Sequence, residues 1–192
     1  MSPKVLMTAE DMLRVLARVA HEIIEKNRGV TDVVLVGMKT RGLPLAQRLQ
    51  RLILQFGGVE VPVEALDIRR YRDDVDEVAR PGPASSRATG GGITDKNVVL
   101  IDDVLYTGRS IRAAMDALID SGRPRCIQLA VLVDRGHREL PIRADYVGKN
   151  VPSARHEEIR VHVQEVDGED VVMLIALPEE QPVGGTAARK TR

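Results

Sequence analysis

One segment of thirteen residues joins an apolar run, two carboxylates and a turn that opens a helix. The apolar run is residues 98–101, the carboxylates are Asp102 and Asp103, and the turn Thr-Gly-Arg-Ser occupies residues 107–110. At the start of a helix, backbone N–H groups, hydroxyls and the helix dipole favour a bound phosphate. The two carboxylates can accept hydrogen bonds from ribose hydroxyls and help to hold a hydrated Mg²⁺ ion. The segment therefore predicts a cradle for a ribose 5-phosphate.

Two other interpretations of this segment stay open at the level of its residues. The acids could simply cap a helix at the end of a strand, or they could form the phosphoacceptor site of a receiver domain, which also ends an apolar strand with acidic residues. An acidic pair, a Thr-Gly step and a serine at this spacing favour the phosphate cradle over both alternatives.

A second candidate anion loop, Gly-Met-Lys-Thr-Arg-Gly, occupies residues 37–42. It begins like the phosphate loop of an ATPase, but Leu43 and Pro44 stand where Lys and Ser or Thr are required, which excludes that class. Lys39 and Arg41 still suit a pyrophosphate, to which an arginine can make a bidentate contact. By itself the loop is equally typical of a solvated basic turn. Its place after a second strand of the same sheet favours the pyrophosphate interpretation.

The alternation of strand and helix patterns predicts an α/β protein that must bring these two loops together. Apolar residues at helical spacing predict helices at 9–27, 43–56 and 110–121. Apolar runs predict strands at 33–36, 61–71, 98–101 and 127–133. Strands that alternate with helices imply a parallel sheet covered on both faces, with ligands at the strand ends.

The remaining segments predict a hairpin, a lid and a tail. Residues 159–166 and 170–177 flank Asp167-Gly168 and predict a hairpin at an edge of a single domain that ends at about residue 177. Residues 72–92 have no periodicity and begin with Arg72, Asp73 and Asp74, so we expect a lid that excludes water, with a tolerated insertion as the alternative. Residues 178–192 have the composition of a flexible tail.

Composition limits the classes of function. There are 28 basic and 28 acidic residues, so any polyanion must meet a local patch rather than the whole surface. Cys126 is the only cysteine, which excludes an internal disulfide, and we expect it to be buried beside the apolar run that follows. The N-terminal residues lack a secretory pattern and no apolar run approaches the ~20 residues that cross a bilayer, so we expect a cytoplasmic protein.

Basic residues gather on one face of the first predicted helix. Arg14, Arg18 and His21 follow one another at spacings of four and three, which places them on one side. Such a face is as typical of a solvated helix as of a patch that binds nucleic acid. The other histidines, at 137, 156 and 162, lack the paired spacing of a metal site.

These motifs together resemble the type I phosphoribosyltransferases. A longer segment at 129–152, with Tyr-Arg-Asp-Asp at 71–74 and Ala-His-Glu at 20–22, is similar to one bacterial subfamily, whose members regulate pyrimidine operons and are also uracil phosphoribosyltransferases. The resemblance covers about residues 8–170. The chain departs from the subfamily at Arg69-Arg70, at Ser110, where Thr is common, and at Ala17, where relatives can carry a hydroxyl.

The resemblance implies an activity and a set of site residues. The activity is the transfer of phosphoribose from phosphoribosyl pyrophosphate (PRPP) to uracil with Mg²⁺, which gives UMP and pyrophosphate. Catalysis would involve Asp102, Asp103 and Arg41, with water-mediated contacts from the two aspartates to the metal ion. A small hood at about 134–152 would cover the base, which Val133 and Asp134 would contact. PRPP would be bound by Lys39, Thr40, Arg41, Gly42, Val98, Val99, Leu100, Ile101, Asp102, Asp103, Val104, Leu105, Tyr106, Thr107, Gly108, Arg109 and Ser110.

The resemblance also implies UMP-responsive binding to the leader mRNA of pyrimidine operons, and homodimers or homotetramers. The RNA contacts would be Arg18, His21, Arg138, Arg143 and Lys149, on a surface separate from the sugar-phosphate loops. The alternative is a purely metabolic transferase that acts on hypoxanthine, guanine or orotate and binds no RNA. The phosphate cradle alone cannot distinguish these bases, because every member of the family binds the same sugar phosphate.

Overall fold

The computed structural model describes residues 3–69 and 92–177. The proposed lid residues Arg72, Asp73 and Asp74 and the C-terminal tail lie outside these ranges. Within them, the elements in chain order are β1 (Lys4–Met7), α1 (Ala9–Lys26), β2 (Val33–Met38), α2 (Gly42–Gly57), β3 (Val63–Leu66), β4 (Asn97–Leu105), α3 (Arg109–Ser121), β5 (Cys126–Asp134), β6 (Tyr146–Asn150), β7 (Glu157–His162), α4 (Gln164–Asp167) and β8 (Val171–Ala176).

A five-stranded parallel sheet in the order β3-β2-β4-β5-β6 forms the centre of the molecule. Helices α1 and α2 pack on one face through buried residues such as Leu16 and Leu49, and α3 packs on the other through Ile111 and Leu118. The predicted α/β architecture, with helices on both faces, is confirmed. Because β2 and β4 are neighbours, the loops at their carboxyl ends open at one edge of the sheet.

The first helix begins where its sequence predicts. Thr8 accepts a hydrogen bond from the backbone of Asp11 at 3.3 Å, and the Asp11 side chain accepts one from the backbone of Thr8 at 3.0 Å, which completes a capping box. The apolar stripe that includes Met12 and Ile23 is fully buried against the sheet. This burial stabilises the helix more than its intrinsic propensity does.

Several boundaries differ from the predictions. Strand β4 does not end at residue 101 but runs to Leu105, because Asp102, Val104 and Leu105 pair with the equally long β5. Strand β3 is shorter than predicted. Strands β1 and β6 were not predicted, since each is short and its apolar pattern is weak. Pairing with a neighbouring strand, which sequence does not reveal, decides all of these boundaries.

Strands β7 and β8 form the predicted antiparallel hairpin, but its turn contains the short helix α4. The hairpin is not a peripheral edge element, because β1 adds to β8 and the buried residues Ile159, Val161 and Val172 join the core between the sheet and α1. Cys126 is exposed rather than buried, because it opens β5 at the end of the sheet opposite the two anion loops.

Candidate active site

The β2–α2 anion loop, the acidic pair and Ser110 of the other anion loop line one cavity of about 620 Å³ at the carboxyl edge of the sheet. Lys39, Thr40 and Arg41 come from the β2–α2 loop, Asp102 and Asp103 from β4, and Ser110 from the start of α3. The other lining residues are Met38, Asp67, Ile68, Arg69 and Val104. The sequence-based expectation that both loops meet at one edge is therefore confirmed by the structure.

The β2–α2 loop depends on two glycines that flank it. A Cβ on Gly37 would collide with the backbone of Leu43, and one on Gly42 would collide with the carbonyl of Ile101 on the neighbouring strand. Both positions therefore need glycine for close backbone approach rather than for a left-handed conformation. Between them, the Lys39–Thr40 peptide bond is cis. The loop is held against β3 by a hydrogen bond of 2.9 Å from the Lys39 amide to the carbonyl of Leu66.

Two carboxylates that the sequence analysis missed bind the cations of this loop. Lys39 Nζ lies 3.7 Å from Asp67 Oδ2, and Asp67 also pairs with Arg69 at 2.5 Å. Hydrogen bonds from Arg69 and its backbone, with the charge of Lys39, lower the pKa of Asp67 to about 2. Arg41 donates Nε and Nη2 to the two oxygens of Asp167 at 3.0 and 2.8 Å. Asp67 follows β3 directly, but the predicted strand at 61–71 enclosed it, and Asp167 is 126 residues away from Arg41.

The acidic pair is held rigidly by the backbone of its own strand. The amide of Asp103 donates to Asp102 Oδ1 at 3.0 Å, and the amide of Val104 donates to Asp103 Oδ1 at 2.8 Å. Burial, followed by the neighbouring charge of Asp103, raises the pKa of Asp102 well above its ordinary value. The raised pKa means that ionisation of Asp102 is unfavourable. A cation or a sugar hydroxyl placed between the two carboxyls would make ionisation more favourable.

The turn after β4 has the geometry of a phosphate-binding helix start. Gly108 has a φ of +91° and immediately precedes α3, whose first residue is Arg109. A side chain on Gly108 would also press against Ile142 and Leu140. The carbonyl of Thr107 accepts from the amides of Glu139 and Leu140 at 3.0 and 3.2 Å, so the following loop braces the turn. The first turn of α3 thus lies beside the cavity, which Ser110 lines.

Arg138 occupies a place that differs from its predicted one. Its guanidinium binds Asp134 at 2.5 Å and donates to the carbonyls of Tyr106 and Ile142 at 2.8 and 3.0 Å. It therefore fastens the predicted base segment to the turn that carries the phosphate cradle. Arg138 therefore does not lie apart from the predicted phosphate turn, as the sequence analysis expected, because the carbonyl of Tyr106 accepts one of its hydrogen bonds.

A buried arginine that the sequence analysis did not single out supports the same region. Arg135 is 6% exposed and donates to the Ser153 hydroxyl at 3.0 Å and to the carbonyl of Glu157 at 2.6 Å. Its guanidinium also lies 4.1 Å from the centre of the Tyr106 ring. Arg135 thereby connects Tyr106 to the start of the hairpin.

The remaining residues of the predicted RNA surface lie on α1, on β6 and in the loop before β6. Arg18 pairs with Glu22 at 2.5 Å and donates to the carbonyls of Val147 and Gly148 on β6. Lys149 donates to the carbonyl of Leu6 at 2.8 Å, while Arg143 is exposed. His21 stacks on Phe56 with ring centres 4.0 Å apart. The structure therefore places Arg18 and Lys149 on adjoining elements, although acidic neighbours offset part of the charge of α1.

A parallel sheet with two anion loops and an acidic pair around one cavity defines a phosphoribosyltransferase. The model of the phosphoribosyl transferase domain matches residues 6–166. The chain is 61% identical to the bifunctional protein PyrR of Thermus aquaticus over 88% of its own length and 93% of the relative's. It is 56% identical to the bifunctional protein PyrR of Deinococcus radiodurans over 88% of its length and 92% of the relative's. The chain belongs to the phosphoribosyltransferase family and, within it, to the PyrR proteins.

Solved structures of lower identity support the fold. A hypoxanthine phosphoribosyltransferase from Staphylococcus aureus superposes with a TM-score of 0.66 at 20% identity, covering 92% of this chain and 93% of that one. The enzyme of Trypanosoma cruzi gives a TM-score of 0.66 at 21% identity, covering 91% and 97% of the two chains. Among the described residues, no helix is long and apolar enough to cross a membrane.

Proposed function

We propose that the protein transfers phosphoribose from PRPP to uracil and that its product UMP controls its binding to the leader mRNA of pyrimidine genes. The observation that carries the first part is the convergence of two anion loops and an acidic pair on one cavity. The kinship with bifunctional PyrR proteins supports uracil as the base and RNA as the second partner. In the reaction, the bond from C1 of ribose to pyrophosphate breaks, a bond from C1 to N1 of uracil forms, and the N1 proton is released.

Each part of the cavity has a proposed task. Lys39 and Arg41 receive the pyrophosphate, whose charge increases as the bond to C1 breaks. Asp102 and Asp103 accept hydrogen bonds from the ribose hydroxyls and lie where positive charge develops on the sugar. The N–H groups from Tyr106 to Ser110 hold the 5′-phosphate at the start of α3. Val133 and Asp134, at the end of β5, contact the base.

The donors on the cavity floor fit a magnesium ion that arrives with PRPP. Among the described residues, no cluster of three or more acidic, histidine or cysteine side chains could hold a metal ion without further ligands. Mg²⁺ usually retains several waters and binds through one or two carboxylates together with substrate phosphates. Asp102 and Asp103 match that pattern through bridging waters. When bound, the ion would neutralise charge on the departing pyrophosphate.

The proposed RNA surface comprises Arg18, His21, Arg143 and Lys149. Binding there would place control at the leader of pyrimidine mRNA in the cytoplasm, through transcription termination or translation. Arg138 joins the base segment to the phosphate turn, so it is the proposed connection between nucleotide and RNA rather than a free phosphate contact. Assembly into dimers or tetramers would bring several such surfaces together.

The transfer reaction is tested with radiolabelled PRPP and Mg²⁺ against uracil, hypoxanthine and orotate in parallel. We expect nucleotide formation with uracil at least about a hundredfold faster than with the other bases, because a site built to bond one base leaves its polar groups unpaired with another. Filter binding of leader RNA with and without UMP tests the second activity. Use of hypoxanthine or orotate with no RNA binding would replace this proposal by a purely metabolic transferase.

A further inference from the structure

We infer that Asp167, at the tip of the C-terminal hairpin, is a positioning residue that presents Arg41 to the pyrophosphate group. The inference rests on the proposed transfer reaction and adds to it a residue from a distant part of the chain. Arg41 lines the cavity, whereas Asp167 binds the guanidinium of Arg41 and does not line the cavity itself. Asp167 therefore acts on the ligand through Arg41.

The geometry of the pair determines which donors face the cavity. Asp167 takes the edge of the guanidinium formed by Nε and Nη2, at 3.0 and 2.8 Å. Among the contacts of the described residues, those of Arg41 leave the donors of Nη1 available. A planar guanidinium that is fixed along one edge offers its other edge at a defined angle, which suits a bidentate contact to phosphate oxygens.

Asp167 is itself fixed, so Arg41 must adapt to it. Its Oδ2 accepts a hydrogen bond from the backbone amide of Val163 at 2.9 Å. The same turn is docked on α2 by Arg48, which is 16% exposed and binds Glu165 at 2.6 Å and Asp170 at 2.7 Å. A carboxylate on a turn with such anchors keeps its place when the ligand enters, which reduces the ordering cost that Arg41 would otherwise incur.

The contacts of Arg48 with Glu165 and Asp170 help to distinguish two roles for Asp167, positioning Arg41 and docking the hairpin. If the Arg41–Asp167 pair served only to dock the hairpin, it would repeat what two carboxylates on Arg48 already do. The opposite role, a carboxylate that draws Arg41 away from the ligand, would make the loss of Asp167 strengthen pyrophosphate binding. The two roles therefore predict changes of opposite sign.

The experiment compares Asp167→Asn with Glu165→Gln, which makes the same carboxylate-to-amide change in the same turn but on Arg48. Full kinetics with PRPP and uracil are measured together with calorimetric binding of magnesium pyrophosphate. For Asp167→Asn we expect KM for PRPP and the Kd of pyrophosphate to rise about tenfold and kcat to fall severalfold, with KM for uracil changed less than about twofold. For Glu165→Gln all four quantities should stay within about twofold of the parent, because Asp170 still anchors the turn to Arg48.

Several results would overturn the inference. Unchanged or tighter pyrophosphate binding by Asp167→Asn would do so, as would an equal loss in Glu165→Gln. If Asp167→Asn does not fold by circular dichroism, Asp167→Glu keeps the charge and displaces the guanidinium. A several-fold higher KM for PRPP alone would then support positioning, and an unchanged KM would contradict it. A parent protein that neither transfers phosphoribose nor binds pyrophosphate would instead refute the proposed function, which makes the two failures distinguishable.

Discussion

At the residue scale, the proposed chemistry of the cavity depends on the acidic pair. Asp102 and Asp103 are neighbours on β4, and backbone amides hold a carboxylate oxygen of each. Burial and the charge of Asp103 raise the pKa of Asp102, so the pair is poised to receive a positively charged group. Positive charge develops on the ribose as pyrophosphate leaves, and a fixed carboxylate stabilises it without reorganisation.

Replacing Asp103 by Asn should keep the fold and impair transfer. The Asn side chain keeps the shape and an oxygen acceptor for the backbone amide of Val104, but it lacks the charge that is proposed to face the sugar and the metal ion. We expect kcat/KM to fall at least about 100-fold, as when a positioned electrostatic group is lost. Steady-state kinetics beside a thermal melt provide the measurement. A folded variant with the parent's kinetics would remove Asp103 from the proposed site.

At the element scale, the start of α2 is set by close packing against β4. Gly42 lies so near the carbonyl of Ile101 that a Cβ there would force the two elements apart, whereas a Cβ on Gly57, at the other end of the helix, would meet only Ile24 at 3.5 Å. The two ends of one helix thus provide a matched pair of positions.

The Gly42→Ala variant should be destabilised by about 1 to 3 kcal/mol, because the added methyl overpacks a backbone contact. The Gly57→Ala control should be neutral or slightly stabilising, by about 0.5 to 1 kcal/mol, because alanine is the better helix former. Urea denaturation of both variants measures the difference. Equal stabilities of the two variants would show that the β2–α2 junction accommodates the added methyl group, contrary to this prediction.

The docking of the hairpin on the β2–α2 loop should depend on pH. Hydrogen bonds from Arg41 lower the pKa of Asp167 to about 2, below the ordinary value of about 3.9. A depressed pKa stabilises the folded state above the unfolded value, and this contribution is lost as the pH falls from about 4 towards 2. Asp167→Asn should therefore lose less stability than the parent between these pH values. The urea denaturation midpoints of the parent and of Asp167→Asn at pH 6, 4 and 3 test this. An equal fall of both midpoints with decreasing pH would contradict it.

At the scale of the whole molecule, the charges cancel and RNA binding must be local. With 28 basic and 28 acidic residues, general attraction to a polyanion is weak. The surface formed by α1 and β6 contains Arg18 and Lys149, which bind backbone carbonyls in the absence of RNA. The acceptor of Lys149 is neutral, so Lys149 retains its charge for a phosphate, whereas Glu22 offsets part of the charge of Arg18.

Replacing Lys149 by Gln should weaken RNA binding and reduce the salt slope of the affinity by about 0.7 to 0.9, the value for one lost phosphate contact. Arg112→Gln, on α3 at the other face of the sheet, is the matched control and should bind RNA as the parent does. Filter binding at several salt concentrations, beside a transferase assay, gives both readouts. Parallel loss of RNA binding and UMP synthesis in Lys149→Gln would exclude a separate RNA surface.

Local signals in the sequence determined the α/β class, both anion loops and the acidic pair. Each of these is encoded within a few residues: an apolar run, a glycine where backbones approach, and polar groups where the chain leaves the sheet. Helices α1, α2 and α3 were predictable for the same reason, since caps and apolar spacing are local.

Only the tertiary structure decided which distant groups meet these local motifs. Strand pairing extended β4 through the acidic pair and added β1 and β6, because a strand's limits depend on its neighbour. The fold also placed Arg138 against Asp134 and the carbonyl of Tyr106, and it left Cys126 exposed. Asp167 reached Arg41 across 126 residues, and no spacing rule in a sequence specifies such a pair. Contacts of this kind follow from how the hairpin packs against α2, which is a property of the folded core rather than of any segment.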